Sequence, residues 1–478
     1  MTSKPTTMIT GNTPTWPALA LVTALLAGCA SVPDSQPQST RVDAAALGLS
    51  QSAAVFPRDD WWKSWNDPEL DRLQQQALAA NPDLKLAQAR LRQAQAAAGM
   101  AQAALLPQVG AGLNSTRELF SANDLYPPPL GGGVYTESQL ALQASWDIDF
   151  FGRNQAALAA ARGHAAAAAA AAQAARVLLS AAVAQRYVQL AGALEQDRLL
   201  QTLRQQSEQT LQLNADRAAA GLDPSIPQRL AEVQLAQVRQ QIERNQLAIN
   251  QSRNALAALL GQGPQATAAL APRLQDLPSP QLPQQLPADL LGRRADVVAA
   301  RWQAEAAQSN VKQARAAFYP DVNLSAFAGY AALGWTQFLQ ASNQTWGIGP
   351  AISLPIFEGG ALTAQLGAAA AGADAAVEQY NATLIAAVRE AADAIAQQRA
   401  LQQQLQQQQL ASDHAAAASA LQRQRFDAGL GNRLALLQSE IGLQQQRLQL
   451  QQLKSAALSA DIALIQALGG GYAEASKP

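Results

Sequence analysis

Leu140-Ala141-Leu142-Gln143-Ala144-Ser145-Trp146-Asp147-Ile148-Asp149-Phe150 is followed at once by Phe151-Gly152-Arg153, and there the chain changes period. Up to Phe150, Leu140, Leu142, Ala144, Trp146, Ile148 and Phe150 share one face, and Gln139, Gln143, Ser145, Asp147 and Asp149 share the other. Side chains of a strand alternate in this way. From Arg153 to about Ala219 only single glycines interrupt a helical pattern. A helix that long would measure about 100 Å at ~1.5 Å per residue. A strand running straight into a helix of that length decides what kind of body this chain can build.

Working outward, the same arrangement occurs again. Trp346, Ile348, Ile352, Leu354 and Ile356 alternate with Gly347, Gly349, Ala351 and Ser353, and a second long helix is expected from Gly359 to about Ala428. Pro107 and Pro320 are 213 residues apart, as are Asn81 and Arg294; Gly221 and Gly429, and Leu260 and Leu468, are 208 apart. A repeat this long is a duplicated half, since solenoid units run roughly 20–50 residues. Weaker strands follow the two prolines, with Val109, Ala111 and Leu113 in one half and Val322, Leu324 and Ala326 in the other. Shorter helices are expected before them, at about 67–105 and 294–317, and returning helices at about 227–260 and 434–468. Asp67-Pro68 and Asn81-Pro82 are start signals, a capping side chain followed by proline at the first helical position.

Composition narrows the class. Hydrophobic residues make up 49% of the 478, yet aromatics make up only 5%, because alanine supplies much of the apolar share. Ala and Gln form helices without supplying bulk, so long, closely approaching helices with hydrated faces suit this chain better than a thick core. The net charge of −1 offers no basic patch for nucleic acid. The one cysteine, Cys29, cannot form an internal disulfide. It follows Leu26-Ala27-Gly28, after an apolar run from Trp16 that is too short to span a bilayer. We read 1–28 as a lipoprotein signal peptide, Cys29 as the lipidated residue, and 29–57, rich in Ser, Pro and Gln, as a tether. The first repeat occupies 58–280, the second 281–470, and 471–478 is a tail.

After the leader, no run of 18 apolar residues is free of charged or polar side chains, so a spanning structure would have to be a closed barrel. Apolar-out, polar-in alternation is the barrel pattern, although a soluble half-buried sheet alternates identically. The lipobox and the thin core favour the membrane. The loops at about 117–133 (with Pro127, Pro128, Pro129 and Gly131, Gly132, Gly133) and 330–345 (with Trp335 and Phe338) are then expected outside the cell. Four strands cannot close a barrel, the smallest known having about eight. Unpaired edges are forbidden in lipid. Other copies must therefore complete the sheet, and three copies, giving twelve strands, leave room for water. A homotrimer is expected, with heterologous contacts closing the ring.

Catalytic chemistry is not indicated. His164 and His414 stand alone in Ala-rich helices, where a solvated surface position is the usual reading. No phosphate loop, nucleophile elbow or metal-ligand spacing is present. No cofactor, metal or enzymatic activity is expected. Asp147 and Asp149 form a carboxylate pair on a polar strand face, which the wall of a water-filled lumen accounts for. Trp61, Trp62 and Trp65 are expected to pack the N-terminal segment onto the helices. Trp146 and Trp346 fit either an interfacial girdle or a seal at the strand-to-helix junction.

Several motifs together resemble the TolC-like outer-membrane factor family, in its lipidated multidrug-efflux branch of the OprM/NodT type. They are Leu290-Leu291-Gly292-Arg293-Arg294-Ala295-Asp296-Val297, Ala316-Ala317-Phe318-Tyr319-Pro320, Phe150-Phe151-Gly152-Arg153, Pro355-Ile356-Phe357-Glu358-Gly359-Gly360 and Trp61-Trp62 before Asp67-Pro68-Glu69-Leu70. The resemblance covers about residues 55–470. It implies a trimeric twelve-stranded barrel continuous with a helical coiled-coil tunnel. Such a duct serves an inner-membrane pump of the resistance-nodulation-division type through a periplasmic adaptor, in the outer membrane and anchored through Cys29. The family's periplasmic turns match Gly221-Leu222-Asp223-Pro224 and Gly429-Leu430-Gly431-Asn432. Its hydrophobic gate ring falls on Leu434 and its acidic ring on Gln438, which departs from the usual carboxylate. Asp223 offers a negative charge nearby, or is simply a turn residue; Leu434 fits a gate or a packing position. The rival readings are an exit duct for an ABC-driven protein secretion system and a lipid-tethered periplasmic coiled-coil scaffold.

Overall fold

A computed structural model describes residues 32–47, 56–123, 127–273 and 290–473. Its helices are α1 (Pro68–Ala80), α2 (Pro82–Ala103), α3 (Arg153–Ala219), α4 (Ile226–Leu259), α5 (Ala295–Ala316), α6 (Ala361–Asp427) and α7 (Arg433–Ala467). Its strands are β1 (Gln108–Leu119), β2 (Val134–Asp147), β3 (Asp321–Leu333) and β4 (Gln344–Ser353). The order helix, helix, strand, strand, long helix, returning helix in the first half is echoed in the second, with α3 and α6 both 67 residues long.

The structure refines the expected element bounds. The helix expected over 67–105 is broken at Asn81, which the following Pro82 pushes out of helical backbone. Asn81 Oδ1 accepts from Leu84 N at 3.0 Å and its Nδ2 donates to the Leu259 carbonyl at 3.0 Å, so the break is capped and anchored. The loops are also shorter than expected: β1 continues to Leu119, β2 begins at Val134 and β3 runs to Leu333. Arg117 and Glu118 were expected in the loop, yet they pair with Thr136 and Tyr135. Among the described residues one helix, α3, is long and apolar enough by length and composition to be a candidate span, although Arg162, His164, Gln173 and Arg176 interrupt its apolar run.

The chain divides into two compact units. Of the described residues, the first holds 32–39, 97–162 and 305–375. At its centre is one antiparallel sheet ordered β1-β2-β3-β4. Below one end of the sheet, Val311, Ala314 and Phe318 of the α5 region pack against Leu366 and Ala373 of α6, with Val32 added. Gln38 N and Ser39 N both donate to Asp374 Oδ1, at 2.7 and 2.8 Å. The segment read as a tether therefore lies strapped onto α6 over these residues.

The second unit holds 40–96, 163–304 and 376–473 of the described residues. Here Asn381 continues the strap, accepting from Val42 N at 2.9 Å and donating to the Thr40 carbonyl at 3.0 Å. Its largest core gathers Trp61, Trp62, Trp65, Leu70, Leu73, Tyr187, Leu190, Ile249, Leu256 and Leu260. The three tryptophans are packing residues, each 5% exposed. Asp67 caps α1 by accepting from Glu69 N and Leu70 N, and accepts from Tyr187 Oη at 2.5 Å. Burial first, then that carboxylate, pushes the Tyr187 hydroxyl far above its ordinary value. Arg294 is 10% exposed at its side chain and pairs with Asp296 at 2.6 Å and Glu390 at 2.9 Å. Burial would raise the Asp296 pKa, but the hydrogen bond and charge of Arg294 outweigh it and hold the carboxyl below its usual range. The expected tail begins packed: Tyr472 lies against Ala170, Val298 and Ala299.

Candidate functional site

The sheet is the first functional feature, and its register defines two faces. Val109 pairs with Ala144, Ala144 with Ala326, and Ala326 with Ile348. Paired residues point the same way. Leu113, Leu142, Trp146, Leu324, Trp346 and Ile352 therefore join those four on one face, although they come from strands as much as 200 residues apart in sequence. Val109, Leu113, Leu142, Trp346, Ile348 and Ile352 are 59–76% exposed in the single chain. The opposite face carries Gly110, Asn114, Gln139, Gln143, Asn323, Ser325, Gly347 and Gly349. Large apolar side chains open to solvent along one face require cover, and β1 and β4 each keep one edge without a strand partner among the described residues.

The strand-to-helix junction holds the predicted carboxylate pair. Asp147 ends β2, and its Oδ2 accepts from Arg153 Nη2 at 3.1 Å and Asn154 Nδ2 at 2.9 Å. Asp321, at the start of β3, receives the same guanidinium at 3.4 Å. Asp149 lies just past the strand, where its Oδ2 accepts from Gln155 N at 2.7 Å at the start of α3. Both residues thus tie β2 to its helix, using the positive end of the helix dipole as well as Arg153. Of the two tryptophans, Trp146 donates from Nε1 to the Leu105 carbonyl at 3.1 Å, which seals this junction, while Trp346 is 76% exposed on the apolar face.

The helix turns form the second feature. Gly221 and Gly429 have φ of 72° and 73°, a left-handed conformation that favours glycine. Around them Leu222 N donates to the Arg217 carbonyl and Leu430 N to the Arg425 carbonyl, at 2.9 and 2.8 Å, so the duplicated turns share one geometry. Asp223 is engaged within its own hairpin: Arg217 Nε and Nη2 donate to it at 2.5 and 3.1 Å. That hydrogen-bonded guanidinium holds the Asp223 carboxyl below its usual range. Leu434 is half-buried and Gln438 exposed, whereas Leu436 and Leu437 are each 1% exposed and carry the packing. Glu440, the nearest carboxylate to Gln438, is paired with Arg423. Arg433 reaches across to Gln209 Oε1 at 2.9 Å and lies over Phe426. Sequence reading missed both arginine contacts, since only the folded turn brings 217 to 223 and only packing between the two hairpins brings 433 to 209.

Elsewhere, His164 and His414 are exposed. Among the described residues no cluster of three or more His, Cys, Asp or Glu side chains is placed to hold a metal. Cys29 lies outside the described residues.

Comparison with known proteins agrees with this geometry. The family described as outer membrane efflux protein matches residues 73–262 and 286–470. The chain belongs to the outer membrane efflux protein family. Its sequence is 39% identical over 366 residues to the fusaric acid resistance protein FusA of Burkholderia cepacia, covering 74% of this chain and 69% of that one. To the multidrug resistance outer membrane protein MdtP of Escherichia coli K12 it is 30% identical over 472 residues, covering 94% and 95%. Among solved structures, the outer membrane protein VceC of Vibrio cholerae matches with TM-score 0.79 and 37% identity, over 87% of this chain and all of that one. The outer-membrane channel OprN matches with TM-score 0.77 and 28% identity, over 92% and 98%. The four-stranded sheet feeding paired long helices is thus the family's fold.

Proposed function

We propose that this chain is the outer-membrane exit duct of a small-molecule efflux system, built from three copies. The apolar face aligned across all four strands carries the reading, together with the two unpartnered edges. In hydrocarbon every backbone polar group needs a partner, so β4 of one copy pairs with β1 of the next and three copies close a ring of twelve strands. The polar, glycine-rich face then lines a water-filled bore. The relatives' names, multidrug resistance and fusaric acid resistance, support efflux rather than protein secretion.

On this reading the helices reach into the periplasm, where the turns at 221–224 and 429–434 meet an adaptor linked to a resistance-nodulation-division pump. Leu434 narrows the closed end. Gln438 takes the place of an acidic ring, and Asp223, held by Arg217, does not replace that ring's charge. Cys29 carries the lipid anchor. The test is a deletion strain: loss of the gene should sensitise cells to small toxic compounds, and the purified chain should run as a detergent-requiring trimer that conducts ions in planar bilayers. A water-soluble single chain without current would leave the scaffold reading standing.

A further inference from the structure

Phe327 is out of keeping with its surroundings. Register places it on the polar face, opposite Gln143 on β2 and Gly347 on β4. The residue is 42% exposed, and its mid-sheet neighbours on that face are glycine, alanine, serine and amide side chains. The ring lies over Gly347: a Cβ at that position would come within 2.6 Å of Phe327 Cε1. Two residues on, a Cβ at Gly329 would collide with the Leu140 carbonyl, so the β2 and β3 backbones approach closely on this same side. The result is a hollow of about 500 Å³ whose lining includes Phe327, Gln139, Gln143, Ser145 and Ser325 and no charged side chain. Gln139 and Gln143 are exposed to it.

We propose that this hollow is a weak binding site for uncharged aromatic solutes that carry a hydroxyl or carboxamide. The inference rests on the reading of the polar face as the bore. A half-exposed ring lying over glycine offers an open π surface on which an aromatic solute can stack. A glutamine amide donates and accepts, so Gln139 and Gln143 match a neutral polar group of either sense. A charged solute would find no counter-ion there. Three copies would set three such sites around the wall, short resting places rather than a tight pocket.

The test uses the full-length trimer in lipid nanodiscs and saturation-transfer NMR with 4-hydroxybenzamide, beside cyclohexanecarboxamide as the non-aromatic control. Transfer to 4-hydroxybenzamide should exceed that to the control. Phe327→Leu, which keeps the apolar bulk, should weaken it about fivefold, the loss of roughly one aromatic pair. Gln143→Leu should weaken it by a similar factor while leaving the trimer intact. Equal transfer to both probes, or transfer unchanged in Phe327→Leu, overturns the site. Ion current measured on the same preparation separates the two readings: normal current without aromatic preference sinks the site alone, and absence of current sinks the duct and the site together.

Discussion

Single residues carry more of this fold than composition suggests. Gly221 and Gly429 sit at φ values that cost an alanine about 1–2 kcal/mol. Replacing either with Ala should accelerate hydrogen exchange at its own turn and leave the sheet unchanged. Arg294 is a second such residue, because its guanidinium is nearly enclosed and depends on Asp296 and Glu390. Asp296→Asn should lower stability by about 1–2 kcal/mol, a value reduced from that of a fully buried pair because Asp296 is partly exposed. The pH dependence follows from the depressed Asp296 carboxyl. A carboxylate of lowered folded pKa stabilises fully above its unfolded value and loses that contribution as pH falls through the folded value. Acid titration followed by circular dichroism should therefore show wild type losing this increment only below the ordinary carboxylate range, and Asp296→Asn showing no such step.

At the scale of elements, the two sheet faces predict opposite tolerances. Ile348→Arg places a charge on the apolar face and should cost about 2–4 kcal/mol near mid-membrane, seen as loss of the heat-resistant trimer on gels. Ser325→Arg, on the other face, should assemble normally and alter ion selectivity. At the helix turns, Leu434→Ser should raise single-channel conductance in planar bilayers; unchanged conductance would remove Leu434 from the gate. Much at this scale was legible beforehand. The start of α3 at Arg153 is announced by the change of period after Phe150, and its end by Gly221. The outer ends of β1 and β3 were not, because residues such as Arg117 and Glu118 pair through backbone groups that any side chain permits. Nor was the Arg217–Asp223 pair, since its six-residue spacing places the two together only once the turn at Gly221 has formed.

For the molecule as a whole, the duplication and the strand count were readable, and they led to three copies by elimination. The strap was not. Residues 32–47 have the Ser, Pro and Gln content of a loose linker, yet Asp374 and Asn381 hold them by backbone hydrogen bonds, which composition does not encode. Asp374→Ala with Asn381→Ala should free the strap, read as protease cleavage within 32–47 of folded protein. Cys29→Ser should abolish acylation, seen by loss of radiolabelled palmitate incorporation, and leave the assembled trimer able to conduct.

The two hairpins arose as copies, but they are no longer equivalent. Where the first has Asp223 clasped by Arg217, the second has Gly431 at the corresponding position, 208 residues on, and so lacks that brace. The first bend is thus pinned within itself, while the second is held by Arg423 to Glu440 between its two helices and from outside by Arg433 to Gln209. A cut at the first bend's clasp would therefore loosen that bend alone, whereas the second bend answers to its neighbour as well.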